Sequence, residues 1–384
     1  MSTSSIFKIH HKHEHSKARL GTVQLSRGSV QTPVFMPIGT LGTVKSLTKF
    51  DLEKIGFEII LGNTYHLWLK PDLETFEKCG EFYGAEKSTL GNLHRFQSWN
   101  RPILTDSGGF QAWSLSKIRK FTEEGVKFKV PDTGDIRFLS PEVSMMIQTT
   151  FGSDIALVLD EALSAEVTEK EARRAMYRTR RWAERSQTEF ERLRGINPHD
   201  NVLFGIPQGA QFPALRKESA LLTMELDLPG YSIGGVANGG EPEEIMYNQV
   251  LSQTEVLEEH KPRHLLGVGT PKDIIEMVKR GIDMFDCVYP TRNARHGSVF
   301  VWTDRDKLEY ETIKVSGKRW ENDFTPINKD SKFEELQTYS RAYLRHLFRA
   351  KELLAMRLST LINLEFYYEL METIRLKIEN DEVF

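Results

Sequence analysis

Residues 281–297 read GIDMFDCVYPTRNARHG. The first half is an apolar run that contains one carboxylate, Asp286, and Pro290 breaks this run before two arginines, Arg292 and Arg295. A strand end gives a reactive carboxylate the rigid support that it needs, and nearby guanidinium groups can hold a phosphate or another anion. A buried strand followed by a solvated basic loop would have the same composition, so the rest of the chain decides the interpretation.

Seven other short apolar runs precede this one, and none shows the strict alternation of a half-buried strand. The eight runs are residues 33–37, 58–63, 102–106, 154–160, 202–206, 231–235, 264–268 and 284–288. Runs of this kind are typical of parallel strands that are buried on both faces. Helix-like stretches lie between most of them, at 168–193, 211–226, 241–259 and 271–280. Thr168 to Glu171 has the composition of a capping box, and Pro271 suits a first helical turn.

This alternation predicts an α/β protein with an irregular (β/α)₈ TIM barrel. A doubly wound sheet is the second candidate, but no Gly-x-Gly-x-x-Gly follows the first strand. We expect residues 1–300 to form the barrel, including N-terminal strands and an inserted hairpin near 115–141. Residues 301–384 are expected to form a C-terminal subdomain packed on the barrel, with a helical tail at 339–380.

Composition narrows the classes of protein that remain. The 384 residues are 39% hydrophobic and 27% charged, and no apolar run approaches the ~18 residues of a membrane span. Two cysteines exclude a disulfide framework and a thiolate-rich metal site, so we expect a cytoplasmic protein. The net charge of −3 argues against a uniformly basic nucleic-acid binder, although a local basic surface remains compatible with it. Four histidines between His10 and His15 favour a solvated strand or hairpin over a metal site.

Polar residues gather at the predicted carboxyl ends of the strands, where barrel enzymes have their active sites. They are Asp106, Ser107, Asp160, Gln208 and Asp286, and beside them lie Gly234, Gly235, Val236 and Val268 with its flanking glycines. Paired carboxylates suit glycosidic chemistry, in which one attacks the anomeric carbon and the other transfers protons. A glutamine, an aspartate and glycine N–H groups suit a flat heterocycle with several donors and acceptors.

Several motifs in this order resemble those of bacterial tRNA-guanine transglycosylases. They are TDSGGFQ at 105–111, LGNTYHL at 61–67, MFDCV at 284–288 and PTRNAR at 290–295. The resemblance extends from about Ala18 to the C-terminus. It implies an enzyme that exchanges guanine at the anticodon wobble position of tRNA for a 7-deazaguanine, without a cofactor. It also implies a G-U-N anticodon and a homodimer.

Carried over position by position, the resemblance makes Asp286 the nucleophile and Asp106 the general acid/base. Base recognition then involves Ser107, Asp160, Gln208 and the Gly234–Val236 backbone, with Phe110 stacking on the base and Val268 nearby. Arg292 and Arg295 match residues that hold the anticodon loop. In the tail, Arg341, Arg345 and Arg349 recur at helical spacing and predict a further phosphate contact.

The tail departs from the family, whose members bind a structural zinc through three cysteines and a histidine. The four positions are occupied here by Ser331, Phe333, Leu336 and Ile362. These side chains cannot supply Cys₃His coordination, so we predict no zinc and expect the apolar three to pack together.

Other departures concern the incoming base. Ala162 stands where bacterial members of the family typically have cysteine, Ala210 stands where the family usually has the second glycine of Gln-Gly-Gly, and the loop at 235–241 is one residue longer. These changes would widen the pocket for queuine, whereas the general bacterial resemblance favours preQ1. Three alternatives remain: a non-catalytic tRNA-binding subunit, a relative acting on another nucleic-acid site, and an unrelated barrel enzyme acting on a small sugar. Retention of Asp106, Asp160 and Asp286 argues against the first.

Overall fold

The computed structural model describes residues 5–83, 92–115, 118–164, 166–236 and 242–384. The strands of these regions are β1 (Phe7–Lys12), β2 (Arg19–Leu25), β3 (Gly28–Thr32), β4 (Val34–Met36), β5 (Ile38–Gly39), β6 (Ile60–Gly62), β7 (Ile103–Thr105), β8 (Arg119–Phe121), β9 (Val126–Lys129), β10 (Ile136–Leu139), β11 (Ile155–Leu157), β12 (Val202–Phe204), β13 (Tyr231–Ile233), β14 (Arg263–Leu265), β15 (Met284–Asp286), β16 (Ser298–Asp304) and β17 (Glu309–Lys314). The helices are α1 (Lys49–Ile55), α2 (Thr64–Leu69), α3 (Leu73–Phe82), α4 (Asn92–Gln97), α5 (Gly109–Ser114), α6 (Pro141–Phe151), α7 (Glu169–Ile196), α8 (Pro213–Met224), α9 (Glu243–Thr254), α10 (Pro271–Lys279), α11 (Tyr289–Arg295), α12 (Glu334–Thr338), α13 (Arg341–Ala350) and α14 (Leu353–Glu379).

Two parallel sheets form the centre of this mixed α/β fold. One has the strand order β12-β11-β7-β6-β5, and the other has the order β13-β14-β15-β4. Each of the eight apolar runs overlaps one of these strands, so the prediction of parallel strands is confirmed. Nearly all of their residues are buried, which explains the lack of alternation in the sequence.

The two sheets are connected at both sides. Strands β4 and β5 flank Pro37, and β4 pairs with β15 while β5 pairs with β6, so one chain segment belongs to both sheets. At the other side, Gly205 after β12 forms a parallel bridge with Tyr231 of β13. The carboxyl ends of all these strands therefore face the same region.

The helices begin where the sequence signals predict. The hydroxyl of Thr168 accepts a hydrogen bond from the Glu171 N–H, and the Glu171 carboxylate accepts one from the Thr168 N–H, which completes the predicted capping box of α7. Pro271 occupies the first turn of α10, where its missing N–H costs nothing. The apolar face of α7 buries Trp182 against the core.

The segment between α5 and α6 forms three antiparallel strands in the order β10-β9-β8. Val126 and Phe128 of β9 are buried, while the outer strands are more exposed. Residues 116 and 117 of this segment lie outside the described ranges. It therefore contains a third strand in addition to the hairpin expected from the sequence.

The C-terminal region is attached to the strands by its longest helix, α14, which packs on α11 and β16. The buried amide of Asn363 donates to the carbonyls of Pro290 and Ser298 and accepts from the Phe300 N–H. The helical tail predicted at 339–380 consists of two helices, because Lys351 adopts a left-handed conformation (φ 61°) between α13 and α14. No helix in the described ranges is long and apolar enough to cross a membrane.

The N-terminal histidines lie on and after β1, which pairs with β2. His11 contacts the carboxylate of Asp381 at 2.9 Å, and His13 contacts the carbonyl of Glu382 at 3.0 Å. Within the described ranges, no three His, Cys, Asp or Glu side chains are grouped to hold a metal ion. These histidines therefore connect the first strand to the end of the chain.

Candidate active site

A cavity of about 400 Å³ opens at the carboxyl ends of the parallel strands. The residues predicted from the sequence that line it are Asp106, Ser107, Phe110, Asp160, Gln208, Gly234, Gly235, Val236 and Asp286. Val268 does not line it, because its side chain is buried in the core while Leu266 and Gly267 face the cavity. The fold thus brings together polar groups that are up to 180 residues apart in the chain, Asp106 to Asp286.

Asp106 directly follows β7 and is held by two residues that follow the neighbouring strand β6. Its Oδ1 accepts a hydrogen bond of 2.8 Å from the Thr64 N–H, and its Oδ2 accepts one of 2.6 Å from the Asn63 amide. Burial in the cavity raises the pKa of Asp106 to about 7, and the charge of Asp286 contributes to this rise. A carboxyl group with such a pKa can both give and accept a proton near neutral pH.

Asp286 ends β15 and is only 6% exposed. Its Oδ1 lies 2.9 Å from Nε2 of His264 and accepts a hydrogen bond of 3.2 Å from the Gly267 N–H. Within the described ranges, Oδ2 receives no hydrogen bond. Asp286 therefore presents one oxygen that is held by the protein and one that is open to the cavity.

Asp160, Ser107 and Gln208 form a connected polar group at the ends of β11, β7 and β12. The Ser107 hydroxyl donates to Oδ1 of Asp160 at 2.9 Å, and the Gln208 amide donates to Oδ2 at 2.6 Å. Burial raises the pKa of Asp160 despite these two donors. Both oxygens of the Asp160 carboxylate are thus held by neighbouring side chains, and the residue lines the cavity.

Gly234 and Gly235 allow the Gln208 side chain to approach their backbone. A Cβ at Gly234 would lie 2.6 Å from Nε2 of Gln208, and one at Gly235 would lie 2.3 Å from Oε1. Gly235 also has a left-handed conformation (φ 67°) that favours glycine. The buried guanidinium of Arg216 donates to the carbonyls of Ala210 and Gly234 at 2.7 Å each and holds this backbone in position.

An aromatic ring and apolar side chains complete the lining. Phe110 is 43% exposed at the cavity, where its face is available to a flat ligand, and its ring packs against Trp113. Burial raises the pKa of Cys287 to about 12, so its thiol is neutral and a poor nucleophile at neutral pH. The combination of carboxylates, an amide and an aromatic face suits a planar base that undergoes acid–base and nucleophilic chemistry.

The predicted arginines lie beside the site without lining the cavity. Arg292 is exposed on α11, six residues after the end of β15, and its guanidinium has no hydrogen bond or ion pair with the described residues. Arg295 donates to the Thr291 carbonyl at 2.9 Å, and burial together with the charge of Arg292 lowers its pKa. This surface is suited to an anion.

Two of the three arginines at helical spacing in the C-terminal tail form ion pairs within the protein. Arg341 pairs with Asp323 at 3.2 Å and Arg345 with Glu321 at 3.0 Å. Arg349 is exposed. The first two therefore have carboxylate partners that a phosphate would have to displace.

The residues at the family's zinc positions form hydrogen bonds and apolar contacts. Phe333, Leu336 and Ile362 are buried in one hydrophobic cluster. The Ser331 hydroxyl donates to Oε2 of Glu365 at 2.6 Å, and the Lys332 N–H donates to Oε1 at 2.8 Å. Three hydrocarbon side chains and one hydroxyl do not fit a zinc ion.

Several positioning residues were missed from the sequence. Asn63 and Thr64 belong to a motif directly after a strand, but nothing local shows that they hold Asp106. His264 is a polar residue inside an apolar run, which signals only that it needs a partner. Arg216 is one of many arginines on helices and has no distinguishing local signal.

Comparison with known proteins gives a matching family model and similar sequences. The family model described as queuine tRNA-ribosyltransferase matches residues 14–384. The queuine tRNA-ribosyltransferase of Neisseria meningitidis serogroup A is 47% identical over 373 residues, which cover 97% of this chain and 94% of the relative. That of Acidovorax ebreus is 46% identical over 378 residues, covering 94% of this chain and 91% of the relative. The matched region includes every residue that lines the cavity.

Proposed function

The chain belongs to the queuine tRNA-ribosyltransferase family, and we propose that it uses this cavity to exchange guanine at the wobble position of tRNAs with G-U-N anticodons. It is a tRNA-guanine transglycosylase, a pentosyltransferase of queuosine tRNA modification. The observation that carries the proposed site is the presence of two carboxyls, Asp106 and Asp286, in one cavity, close enough for the charge of one to raise the pKa of the other.

The proposed reaction is a double displacement with retention. Oδ2 of Asp286 attacks the ribose C1′, the bond from C1′ to N9 breaks, and guanine leaves with a proton from Asp106. The incoming base then gives its N9 proton to Asp106 and forms the new bond to C1′, while the bond to Asp286 breaks. This mechanism requires the two carboxyls to lie within roughly 5–6 Å when tRNA is bound.

Base recognition is assigned to the group around Asp160. Its carboxylate can accept hydrogen bonds from ring and amino N–H groups of a guanine, and Gln208 and the Gly234–Val236 backbone offer further donors and acceptors. Ser107 orients Asp160, and Phe110 stacks on the ring. Val268 supports the wall from the core without reaching the base.

The proposed architecture is a closed (β/α)₈ barrel in residues 1–300 with a C-terminal subdomain in 301–384. The shared segment β4–β5 and the bridge between Gly205 and Tyr231 support closure. The buried Asn363 contacts support packing of the subdomain on the barrel.

We assign Arg292 and Arg295 to the anticodon loop. Their position beside the cavity and the Arg292 guanidinium, which has no partner among the described residues, support phosphate contact. A homodimer is proposed from family membership, with exposed Phe50 and Leu353 on the packed helices α1 and α14 as candidate contacts. Retention of all three aspartates in the cavity supports a catalytic chain over a non-catalytic subunit.

PreQ1 is the proposed incoming base. Of the substitutions that could enlarge the pocket, Ala162 lines the cavity, whereas Ala210 does not and instead bonds Arg216. Residues 237–241 of the longer loop lie outside the described ranges. The limited widening favours the small aminomethyl group of preQ1 over the cyclopentenediol of queuine.

We therefore expect kcat/KM for preQ1 to exceed that for queuine by on the order of tenfold, because the bulkier substituent would have to displace apolar lining. Release of labelled guanine from preloaded tRNA measures both bases in the same assay. Ala162→Cys is the matched variant and should increase the discrimination. Equal rates, or a faster exchange with queuine, would refute the preference for preQ1.

The protein is proposed to function without zinc. The Glu365 carboxylate accepts hydrogen bonds from the Ser331 hydroxyl and the Lys332 N–H, so the segment around residues 331–336 is held by hydrogen bonds and apolar packing. We expect elemental analysis to find far less than one zinc per chain, and a chelator to leave the thermal unfolding temperature unchanged. Stoichiometric zinc whose removal lowers that temperature would contradict the proposal.

A further inference from the structure

The open carboxylate Asp286 is the end of a buried chain of hydrogen bonds. His264 lies beside it on β14, with Nε2 2.9 Å from Oδ1 of Asp286. On the other side of the imidazole, Nδ1 lies 3.0 Å from the Ser232 hydroxyl of β13. Both His264 and Ser232 are fully buried. The three residues occupy three adjacent parallel strands.

Strand register explains how this chain forms. Ser232 is the direct partner of His264 in the pairing of β13 with β14, and β14 is paired with β15 in the same sheet. Side chains of partners on neighbouring strands point to the same face, so Ser232 and His264 point in one direction. Each strand contributes one polar group to an otherwise apolar layer.

The count of donors and acceptors determines the tautomer of His264. The Ser232 hydroxyl has no other acceptor among the described residues, so it donates to Nδ1. The imidazole proton then lies on Nε2 and points at Oδ1 of Asp286. This arrangement satisfies every polar atom of both side chains, whereas a proton on Nδ1 would leave the hydroxyl without an acceptor and Asp286 without this donor.

We propose that Ser232 and His264 are positioning residues that orient Asp286 for attack on C1′. The inference rests on the proposed role of Asp286 as nucleophile. The N–H groups of His264 and Gly267 both bind Oδ1, which fixes rotation of the carboxylate and leaves Oδ2 free for the ribose. Neither side chain lines the cavity, so both act through Asp286.

The same donors have a specific effect in the second half of the reaction. In the covalent intermediate, Oδ2 is bonded to C1′ and Oδ1 is the carbonyl oxygen of an ester. When N9 of the incoming base bonds C1′ and passes its proton to Asp106, the bond from C1′ to Oδ2 breaks and its electron pair returns to the carboxylate. N–H donors at Oδ1 bind the developing negative charge more strongly than the ester oxygen, and so they accelerate this step.

The test measures how fast the preformed covalent adduct reacts with guanine and releases the enzyme, a step that is called resolution below. Wild-type enzyme is incubated with G-U-N tRNA, and the adduct is then mixed with guanine and quenched at intervals. His264→Phe keeps a ring in place but removes both nitrogens, and it should slow resolution by about 30-fold, the effect of one hydrogen bond to a charged group. His264→Gln, which returns an amide N–H near the position of Nε2, should recover most of that loss.

The dependence on guanine concentration separates positioning from a structural role. With positioning, the concentration for half-maximal resolution stays within about twofold of wild type while the maximal rate falls. If His264→Phe resolves at the wild-type rate, or if His264→Gln is as slow as His264→Phe at equal thermal stability, His264 does not position Asp286. A parallel loss of guanine affinity, rate and unfolding temperature in both variants would show a purely structural role and overturn the inference.

Ser232→Ala provides a second variant should His264→Phe fail to fold. It leaves His264 in place but removes the donor that selects its tautomer, and it should slow resolution by about fivefold. Resolution at the wild-type rate would contradict a role for Ser232 in positioning His264 and Asp286. The wild-type reaction itself tests the underlying function, because the absence of any adduct would refute the role of Asp286 as nucleophile. If the adduct forms and neither substitution changes its rate of resolution, only the positioning role of Ser232 and His264 is refuted.

Discussion

Asp286→Asn should abolish the covalent tRNA adduct and lower guanine exchange by on the order of 10⁴-fold or more. The amide is nearly the same size as the carboxylate but its oxygen does not act as a nucleophile at C1′. The hydrogen bonds at Oδ1 can be kept, because an amide oxygen also accepts from His264 and Gly267. Incorporation of labelled guanine into G-U-N tRNA measures the exchange, and a denaturing gel detects the adduct.

An exposed aspartate offers the matched control. Asp306→Asn makes the same chemical change at an exposed position that does not line the cavity, and it should leave both readouts unchanged. The Asp286→Asn protein should still bind guanine, since Asp160, Gln208 and Ser107 remain connected. Persistence of the adduct in this variant would remove Asp286 from the role of nucleophile.

Asp106→Asn should lower the rate of exchange by about 10²–10⁴-fold, the usual contribution of a general acid/base. Its carboxyl is suited to this role because burial, assisted by the charge of Asp286, raises its pKa to about 7. An asparagine cannot deliver a proton to the leaving guanine or accept one from the incoming base. Single-turnover measurements of adduct formation and resolution should show that both steps are slowed.

The same substitution has a second expected effect, on stability as a function of pH. The pKa of Asp106 is raised from 3.8 to about 7 in the folded protein, so the folded state binds more protons than the unfolded state between these values. The contribution of Asp106 to stability is therefore present at low pH and is lost as pH rises through 7. Asparagine does not titrate and lacks this dependence.

The free energy of unfolding of Asp106→Asn relative to wild type should thus increase from pH 5 to pH 8, by about 2–3 kcal/mol. Denaturant unfolding of both proteins at the two pH values measures this change, and any constant effect of the substitution cancels in the comparison. A relative stability that does not change with pH would mean that the pKa of Asp106 is near its ordinary value in the fold.

Local features of the sequence were sufficient for the parallel strands and for the starts of two helices. The parallel strands were predicted because burial on both faces requires continuous apolar residues, as at 155–157 and 284–286. Thr168 and Pro271 marked helix starts because capping depends on residues within one turn. The carboxylates after the strands and the family motifs likewise predicted nine residues that line the cavity, whereas the predicted Val268 does not line it and the lining residue Asn63 was missed.

The contacts that give these residues their chemistry were decided by the tertiary structure. The sequence by itself determined that Asp286 ends a buried strand and that Asp106 follows another, and it predicts that no zinc is bound. Only the order and register of the strands brought Ser232 and His264 to Asp286 and Asn63 to Asp106, and only the packing of α14 brought Glu365 to Ser331. Hydrogen bonds act over about 3 Å between residues distant in the chain, and the pKa of a carboxyl depends on everything packed around it. Neither quantity is encoded in a local stretch of sequence.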